Sequence, residues 1–294
     1  MTLLTTRDGL KLHLQRWPAD GPAHGMVQIV HGLGEHIGRY ETLARQLNAA
    51  GWHVAGHDQR GHGRSEGPRG GIPGRQTLLA DLAAVTDHLR RDGRHVLLGH
   101  GLGGLVAARF VAEGLMHRAQ RWARDVDGLV LSSPAFDLGL GLGERLALRI
   151  LNPLMPALRL ARGLRPAKAC RDPEVVRRCR EDPLMHKRVT PRLVRFMVDE
   201  GRFVRGRAAR WRTPTLLLWG GADRCVAPRG SAAFAAAAPA QVLTARAFPT
   251  LFHEVFNEPE RDAVRAELLA WLARFETAAA TDDAAVGVPV STAD

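Results

Sequence analysis

The sequence predicts an α/β fold in which helices flank a mostly parallel central sheet and a helical segment is inserted between two of the strands. Three observations carry that reading. Short apolar runs alternate with helical patterns through the first half of the chain, as β-α units around a parallel sheet do. The alternation stops after Ser133-Pro134, and residues 137–211 are rich in Pro and Arg with no clear strand. It resumes with the apolar run at Thr215. A chain of 294 residues, 45% hydrophobic, can bury a full core, and one α/β unit with an insertion accounts for the length.

Taken in order, Leu10 to Trp17 alternates across an Asp8-Gly9 turn and reads as half of an N-terminal hairpin. Buried strands are expected at 26–30, 53–56, 95–98, 128–131, 215–219 and 242–245. Helices are expected at 40–50, 77–91, 102–113 and 231–238, and a last helix at 258–275 carries Pro259 in its first turn. The main unit thus comprises 1–136 and 212–276, with a helical cap at 137–211. The small, polar stretch 277–294 is expected to be a disordered tail. Within the cap, Leu142, Leu146, Ile150 and Leu154 form an apolar stripe at helical spacing, flanked by Arg145 and Arg149.

The net charge of +11 is concentrated. Residues 137–211 hold 18 Lys/Arg against 8 Asp/Glu, and the rest of the chain is nearly balanced. A clustered positive field attracts anionic surfaces or substrates, and the opposing reading is a solvated arginine-rich face. The stripe suits peripheral contact with an anionic membrane, although it could equally pack on the main unit. Cys170, Cys179 and Cys225 are odd in number and show no metal-binding spacing, so free thiols in a reducing compartment are expected. No signal peptide or membrane span is legible, and a cytoplasmic location with peripheral membrane contact is the expectation.

The most informative stretch runs from His95 to Val106. An apolar strand enters the glycine-rich turn Gly99-His100-Gly101-Leu102-Gly103 and continues into a helix. This is the setting of a nucleophile elbow, G-x-S-x-G, matched everywhere except that Gly101 stands where serine belongs. Gly99, Gly101 and Gly104 also match the dinucleotide fingerprint G-x-G-x-x-G. That motif should open the first β-α unit and be followed by an acid about 20 residues on. Here two strands precede it, and Gln120-Arg121-Trp122 occupies the later position. The elbow reading is preferred.

Other segments supply what an elbow needs. His31-Gly32-Leu33-Gly34 leaves the first core strand, and the N–H of Leu33, with that of Leu102, is the candidate pair of oxyanion donors. Asp223 ends an apolar strand, and His253 lies in the loop before the last helix. Nucleophile, acid, histidine is the chain order of α/β-hydrolases. His253 would be the general base, with Asp223 fixing its tautomer and stabilising its charged form.

On these residues the chain resembles the monoacylglycerol lipase and bacterial lysophospholipase branch of the serine hydrolases, often grouped by domain with the S33 serine aminopeptidases. The stretch His31-Gly32-Leu33-Gly34-Glu35-His36, followed by Arg39-Tyr40, is that branch's most specific signature. The 58–67 loop, Ser132-Ser133-Pro134, Asp182-Pro183-Leu184, Gly221-Ala222-Asp223 and the His253-Glu254 to Asn257 stretch fit as well. The resemblance covers residues 8 to 275. It implies an α/β-hydrolase fold, a lid over an acyl-chain pocket, and cleavage of mono-acyl glycerol, lysophospholipid or similar esters through an acyl-enzyme. His31, Gly32, His100, Leu146 and Ile150 are then candidate substrate contacts. No metal, organic cofactor or nucleic-acid partner is implied.

Gly101 departs from the branch at its centre, since glycine has no side chain to attack a carbonyl. Removing such a nucleophile costs about 10⁶ in kcat in a well-studied serine protease, about 8 kcal/mol. The chain is therefore expected to fold and bind yet turn over poorly. A binding-only relative, a weak hydrolase using His253 with water, and a peptidase or amidase remain the alternatives.

Overall fold

The computed structural model describes residues 2–90, 93–161 and 165–285. In chain order the elements are β1 (Thr2–Thr5), β2 (Lys11–Trp17), β3 (Gly25–Val30), α1 (Glu41–Ala49), β4 (Trp52–His57), α2 (Thr77–Leu89), β5 (Arg94–His100), α3 (Gly101–Ala112) and β6 (Gly128–Ser132). Then follow α4 (Leu142–Leu154), α5 (Pro166–Ala169), α6 (Pro173–Glu181), α7 (Pro191–Arg205), β7 (Thr215–Gly220), α8 (Pro228–Ala237), β8 (Leu243–Phe248) and α9 (Arg261–Ala285). The strands form one sheet in the order β1-β2-β4-β3-β5-β6-β7-β8. The hairpin β1/β2 joins β4 antiparallel, and β4 through β8 run parallel.

Successive side chains of a strand point to opposite faces, so an unbroken apolar run needs cover on both sides. Leu97, Leu129, Leu131 and Leu217 pack among residues of α2, α3 and α7. Their neighbours Val96, Leu98, Val130, Leu216 and Leu218 pack instead with Leu43 and Leu47 of α1 and Leu268, Trp271 and Leu272 of α9. Each such side chain contributes about 1.5–3 kcal/mol on burial, which fixes the register of the central strands. The edge strand β8 pairs only with β7 and is half-exposed, so the expectation of a buried strand there does not hold.

The 137–211 segment carries α4 to α7, with Leu160↔Val189 its isolated β-bridge among the described residues. It is not a separate layer. Leu193, Phe196, Met197 and Val204 of α7, with Ala208 and Trp211 beyond it, are buried in the same cluster as α3. Leu148 and Leu151 of α4, with Leu160 and Val189, line one cavity with Gly32, His100 and Gly101 at the ends of β3 and β5. α9 continues to Ala285, past the point where a disordered tail was expected; the alanine-rich 277–280 stretch favours helix. Residues 286–294 lie outside the described residues.

Candidate active site

The ends of β5, β7 and β8 lie on one edge of the parallel sheet, where ligands of such sheets bind. β5 runs into a tight turn at Gly101, whose φ of +53° is the left-handed conformation that glycine adopts without strain. The turn is held close to β3. A Cβ at Gly103 would lie 2.0 Å from the carbonyl oxygen of Val30, so only glycine allows α3 to start there.

β7 delivers Asp223 and the loop after β8 delivers His253. Nδ1 of His253 donates to Oδ2 of Asp223 at 2.7 Å, and the two side chains are 7% and 1% exposed. The other oxygen of Asp223 accepts from the N–H groups of Cys225 (2.7 Å) and Val226 (3.1 Å). The carboxylate is thus fixed from both sides. Burial disfavours the charged imidazole, but the Asp223 carboxylate and its hydrogen bond, with Glu254 and Glu35 behind, raise the His253 pKa above 6.5.

The imidazole's far edge meets the turn. A Cβ placed on Gly101 would stand 3.0 Å from Nε2 of His253, 3.5 Å from its Cε1 and 3.8 Å from Cα of Gly32. The first of these is tighter than side-chain carbons ordinarily tolerate, so the ring occupies part of the space a side chain at 101 would need. Leu33 and Leu102 both line the cavity above the turn. Neither amide has an acceptor among the described residues.

That cavity measures about 810 Å³. Its floor is Gly101, His100, His253, Glu35 and Glu254; its walls are apolar, from Leu148 and Leu151 of α4 to Val189, Val194 and Met197 near α7. Arg165, Lys168 and Arg224 also line it, all exposed and without a carboxylate partner among the described residues. The Arg224 guanidinium stands over the ring of Phe252, 4.2 Å from its centroid.

Of the candidate substrate contacts, Gly32 and His100 line the cavity and three others do not. His31 is fully buried behind it. Its Nδ1 donates to the Gly32 carbonyl and its Nε2 accepts from the Gln59 N–H, both at 2.8 Å, which makes it a brace for the Gly32 turn. Leu146 and Ile150 are 60% and 51% exposed, as are Leu142 and Leu154 of the same stripe at 87% and 73%. α4 turns its adjoining face inward, through Ala147, Leu148 and Leu151. Regular spacing picks out the longest apolar stripe, but tertiary packing decides which face is covered.

A buried ion network went unassigned at the sequence level. Arg39 makes two hydrogen bonds to Glu254, at 3.0 and 2.6 Å, and one to Glu35 at 2.5 Å. Glu35 also accepts from the Gly32 N–H (2.5 Å) and the Tyr40 hydroxyl (2.8 Å), and Asn257 donates to Glu254 at 2.9 Å. Burial opposes the ionised form of both carboxylates, and Arg39 overcomes it and holds both low. The network ties the Gly32-Leu33 turn to the residue beside His253. The pattern Glu35, Arg39, Tyr40, Glu254, Asn257 was visible, but nothing in it told that five polar residues from distant segments were mutual partners. Likewise Nε2 of His36 pairs with Asp182 at 2.7 Å, joining the first core loop to the inserted segment.

His100 packs its ring against His253, centroids 4.6 Å apart, and its Nδ1 lies 3.0 Å from Oγ of Ser132. Burial, with the neighbouring His253, depresses its pKa to about 4, so it is neutral at pH 7. Asp223, Cys225 and His253 also bring three potential metal donors within 4.8 Å. Burial and the Asp223 charge push the Cys225 thiol well up, and Asp223 already holds Nδ1, so these donors are spoken for as a hydrogen-bonded pair beside a protonated thiol.

A family model described as serine aminopeptidase, S33, matches residues 21–260. The chain is 30% identical over 270 residues to a monoacylglycerol lipase of Mycolicibacterium smegmatis, covering 90% of this chain and 93% of that one. It is 32% identical to the phospholipase YtpA of Bacillus subtilis, covering 84% and 94%. Among solved structures it is similar to the monoacylglycerol lipase of Paleococcus ferrophilus, with a TM-score of 0.79 and 32% identity over 90% of this chain and 99% of that one.

Proposed function

Because the chain belongs to the serine aminopeptidase S33 family of α/β-hydrolases, we propose that it is a carboxylic-ester hydrolase scaffold of the monoacylglycerol lipase and lysophospholipase type whose attacking group is missing. The observation that carries this reading is the convergence at Gly101. An acid-held imidazole and two unengaged amides surround a turn with no side chain, at the floor of an apolar cavity. Such a cavity suits one acyl chain, with the ester carbonyl oxygen against the N–H groups of Leu33 and Leu102. In the parent reaction a serine at 101 attacks the carbonyl, His253 takes its proton and returns it to the leaving alcohol, and Asp223 holds the imidazolium. Here the binding and charge-stabilising parts are present without the nucleophile, so glycerol esters are bound and turned over very slowly.

The cationic mouth formed by Arg165, Lys168 and Arg224 favours an anionic head group, as in a lysophospholipid. The exposed α4 stripe with Arg145 and Arg149 beside it favours docking on an anionic bilayer. No helix among the described residues is long and apolar enough to cross a membrane. The free cysteines favour a reducing compartment, hence a cytoplasmic protein working at the membrane surface.

The test is hydrolysis of 1-monobutyrin by the Gly101→Ser variant. Large activity supports the ester-hydrolase scaffold. None would favour the second reading, a relative that only binds lipid. Higher activity on a butyryl amide than on the ester would favour the peptidase branch of the family.

A further inference from the structure

Nε2 of His253 is the reactive atom that remains at the floor of the cavity. The ring is 95% buried, yet Nε2 has no hydrogen-bond partner and is not among the sealed polar atoms, so it opens into the cavity. Asp223 can only accept, so the proton of the neutral ring resides on Nδ1 and the lone pair on Nε2. That lone pair lies 3.0 Å from where the Cβ of an attacking residue would be, beside the Leu33 and Leu102 amides. With no side chain at 101, nothing stands between imidazole and carbonyl.

We infer that His253 itself is the nucleophile of the chain as written, taking the acyl group of thioesters and aryl esters onto Nε2 while leaving glycerol esters intact. This rests on the reading of the cavity as an acyl-ester site and adds a substrate class to it. The Nε2 lone pair forms a bond to the carbonyl carbon, the carbonyl oxygen takes negative charge against the two amides, and the carbon–sulfur or carbon–oxygen bond then breaks. The thiolate or phenolate departs with the electron pair and takes a proton from water. The acyl-imidazolium keeps its Nδ1 proton and is balanced by the Asp223 carboxylate. Water next attacks the acyl carbon, the carbon–nitrogen bond breaks with its pair returning to Nε2, and a carboxylate and protons are released.

The substrate limit follows from leaving groups. The tetrahedral adduct expels whichever group leaves better. Free imidazole has a conjugate acid near pKa 6.5, and Asp223 raises that of His253, which brings it closer to thiols at about 8.5 and phenols at about 10 as a leaving group. An alcohol, close to bulk water at about 15.7, loses that contest, so a glycerol ester returns to starting material. His100, neutral against the face of His253, adds no repulsion to the cationic intermediate.

The experiment mixes the unaltered chain with p-nitrophenyl butyrate or S-butyryl-N-acetylcysteamine and reads the mass of the intact protein within seconds, without acid, beside that of the His253→Gln variant. A parallel set adds hydroxylamine. A butyryl adduct that His253→Gln does not form, and hydroxamate accompanied by faster steady release of p-nitrophenol than in a protein-free control with hydroxylamine, are expected, because an accumulating acyl group means that its removal limits turnover. The His253→Gln variant should lose both by tenfold or more. Release of p-nitrophenol with no adduct and no hydroxamate would mean that water attacks directly, and overturns the inference, as would a rate indifferent to His253→Gln. The adduct is read on the unaltered protein and does not depend on any variant folding. If the Gly101→Ser variant cleaves 1-monobutyrin while the unaltered chain forms no adduct, this inference alone fails; if that variant is inert, the underlying ester-hydrolase reading fails.

Discussion

Arg39 and Glu254 are 215 positions apart in the chain and form a two-point ion pair directly behind the imidazole of residue 253. Both side chains are nearly buried, at 11% and 3% exposure, and Glu35 shares the same guanidinium. The pair couples the turn that carries the Leu33 amide to the loop that carries the histidine. Replacing Arg39 with alanine strands two buried carboxylates, and breaking such a buried pair costs about 3–5 kcal/mol. Urea unfolding of Arg39→Ala should show a loss of that size. Arg39→Lys keeps the charge but not the fork, and should fall between the two.

The charge on His253 sets a pH dependence. Burial opposes protonation, but Asp223 outweighs it and the folded-state pKa lies above 6.5. The charged pair therefore adds stability below pH 6.5, and that contribution is lost as the pH rises through the raised value. Catalysis needs the neutral ring, so kcat/KM of the Gly101→Ser variant should rise with pH about a midpoint above 6.5. Asp223→Asn removes the opposing charge and leaves the burial, so the His253 midpoint measured by NMR should drop below 6.5.

Other histidines act in the opposite sense. Burial depresses His57 to about 3, and His95 and His100 to about 4. A group lowered in the fold stabilises it above its unfolded pKa, and that stability disappears as pH falls from about 6.5 toward the folded value. Each such histidine costs on the order of 3 kcal/mol by about pH 4. The melting temperature should fall steeply between pH 6.5 and 4, and less steeply for His95→Gln.

The α4 stripe gives a surface prediction. Leu146 and Ile150 are exposed and do not touch the cavity. Replacing both with serine should weaken binding to vesicles of anionic lipid by tenfold or more, and leave the melting temperature unchanged. Binding by the unaltered chain should weaken with added salt, because Arg145 and Arg149 contribute through charge. Equal binding by both proteins would remove the stripe from membrane contact.

Much of this was legible in the sequence because it lives in short-range pattern. The apolar runs that became β3 to β7 are buried on both faces, and the ends of β5 and β7 carry Gly101 and Asp223 to one sheet edge, where the loop after β8 brings His253 against Asp223. Other features depend on which distant segments meet. Leu146 and Ile150 share a regular spacing with buried helix faces elsewhere, and only packing reveals that α4 turns Leu148 and Leu151 inward instead. His31 sits at the mouth of a glycine turn in sequence, yet a hydrogen bond from Gln59 places it behind that turn. The merging of α7 with α3 had no signal, since Leu193, Phe196 and Met197 read equally well as the inner face of a lid.

The central claim is that a single side chain separates this protein from an active ester hydrolase. The most direct measurement is kcat/KM of Gly101→Ser on 1-monobutyrin beside that of the unaltered chain, with fluorophosphonate labelling of the variant. His253 must give by a few tenths of an ångström to admit the new Cβ, and a serine at the φ of +53° of residue 101 carries backbone strain. A gain approaching 10⁶, on the order of what such a nucleophile contributes, together with labelling at position 101, is the predicted result. A folded variant that gains less than about tenfold, under 1.4 kcal/mol, and takes up no probe would contradict the account.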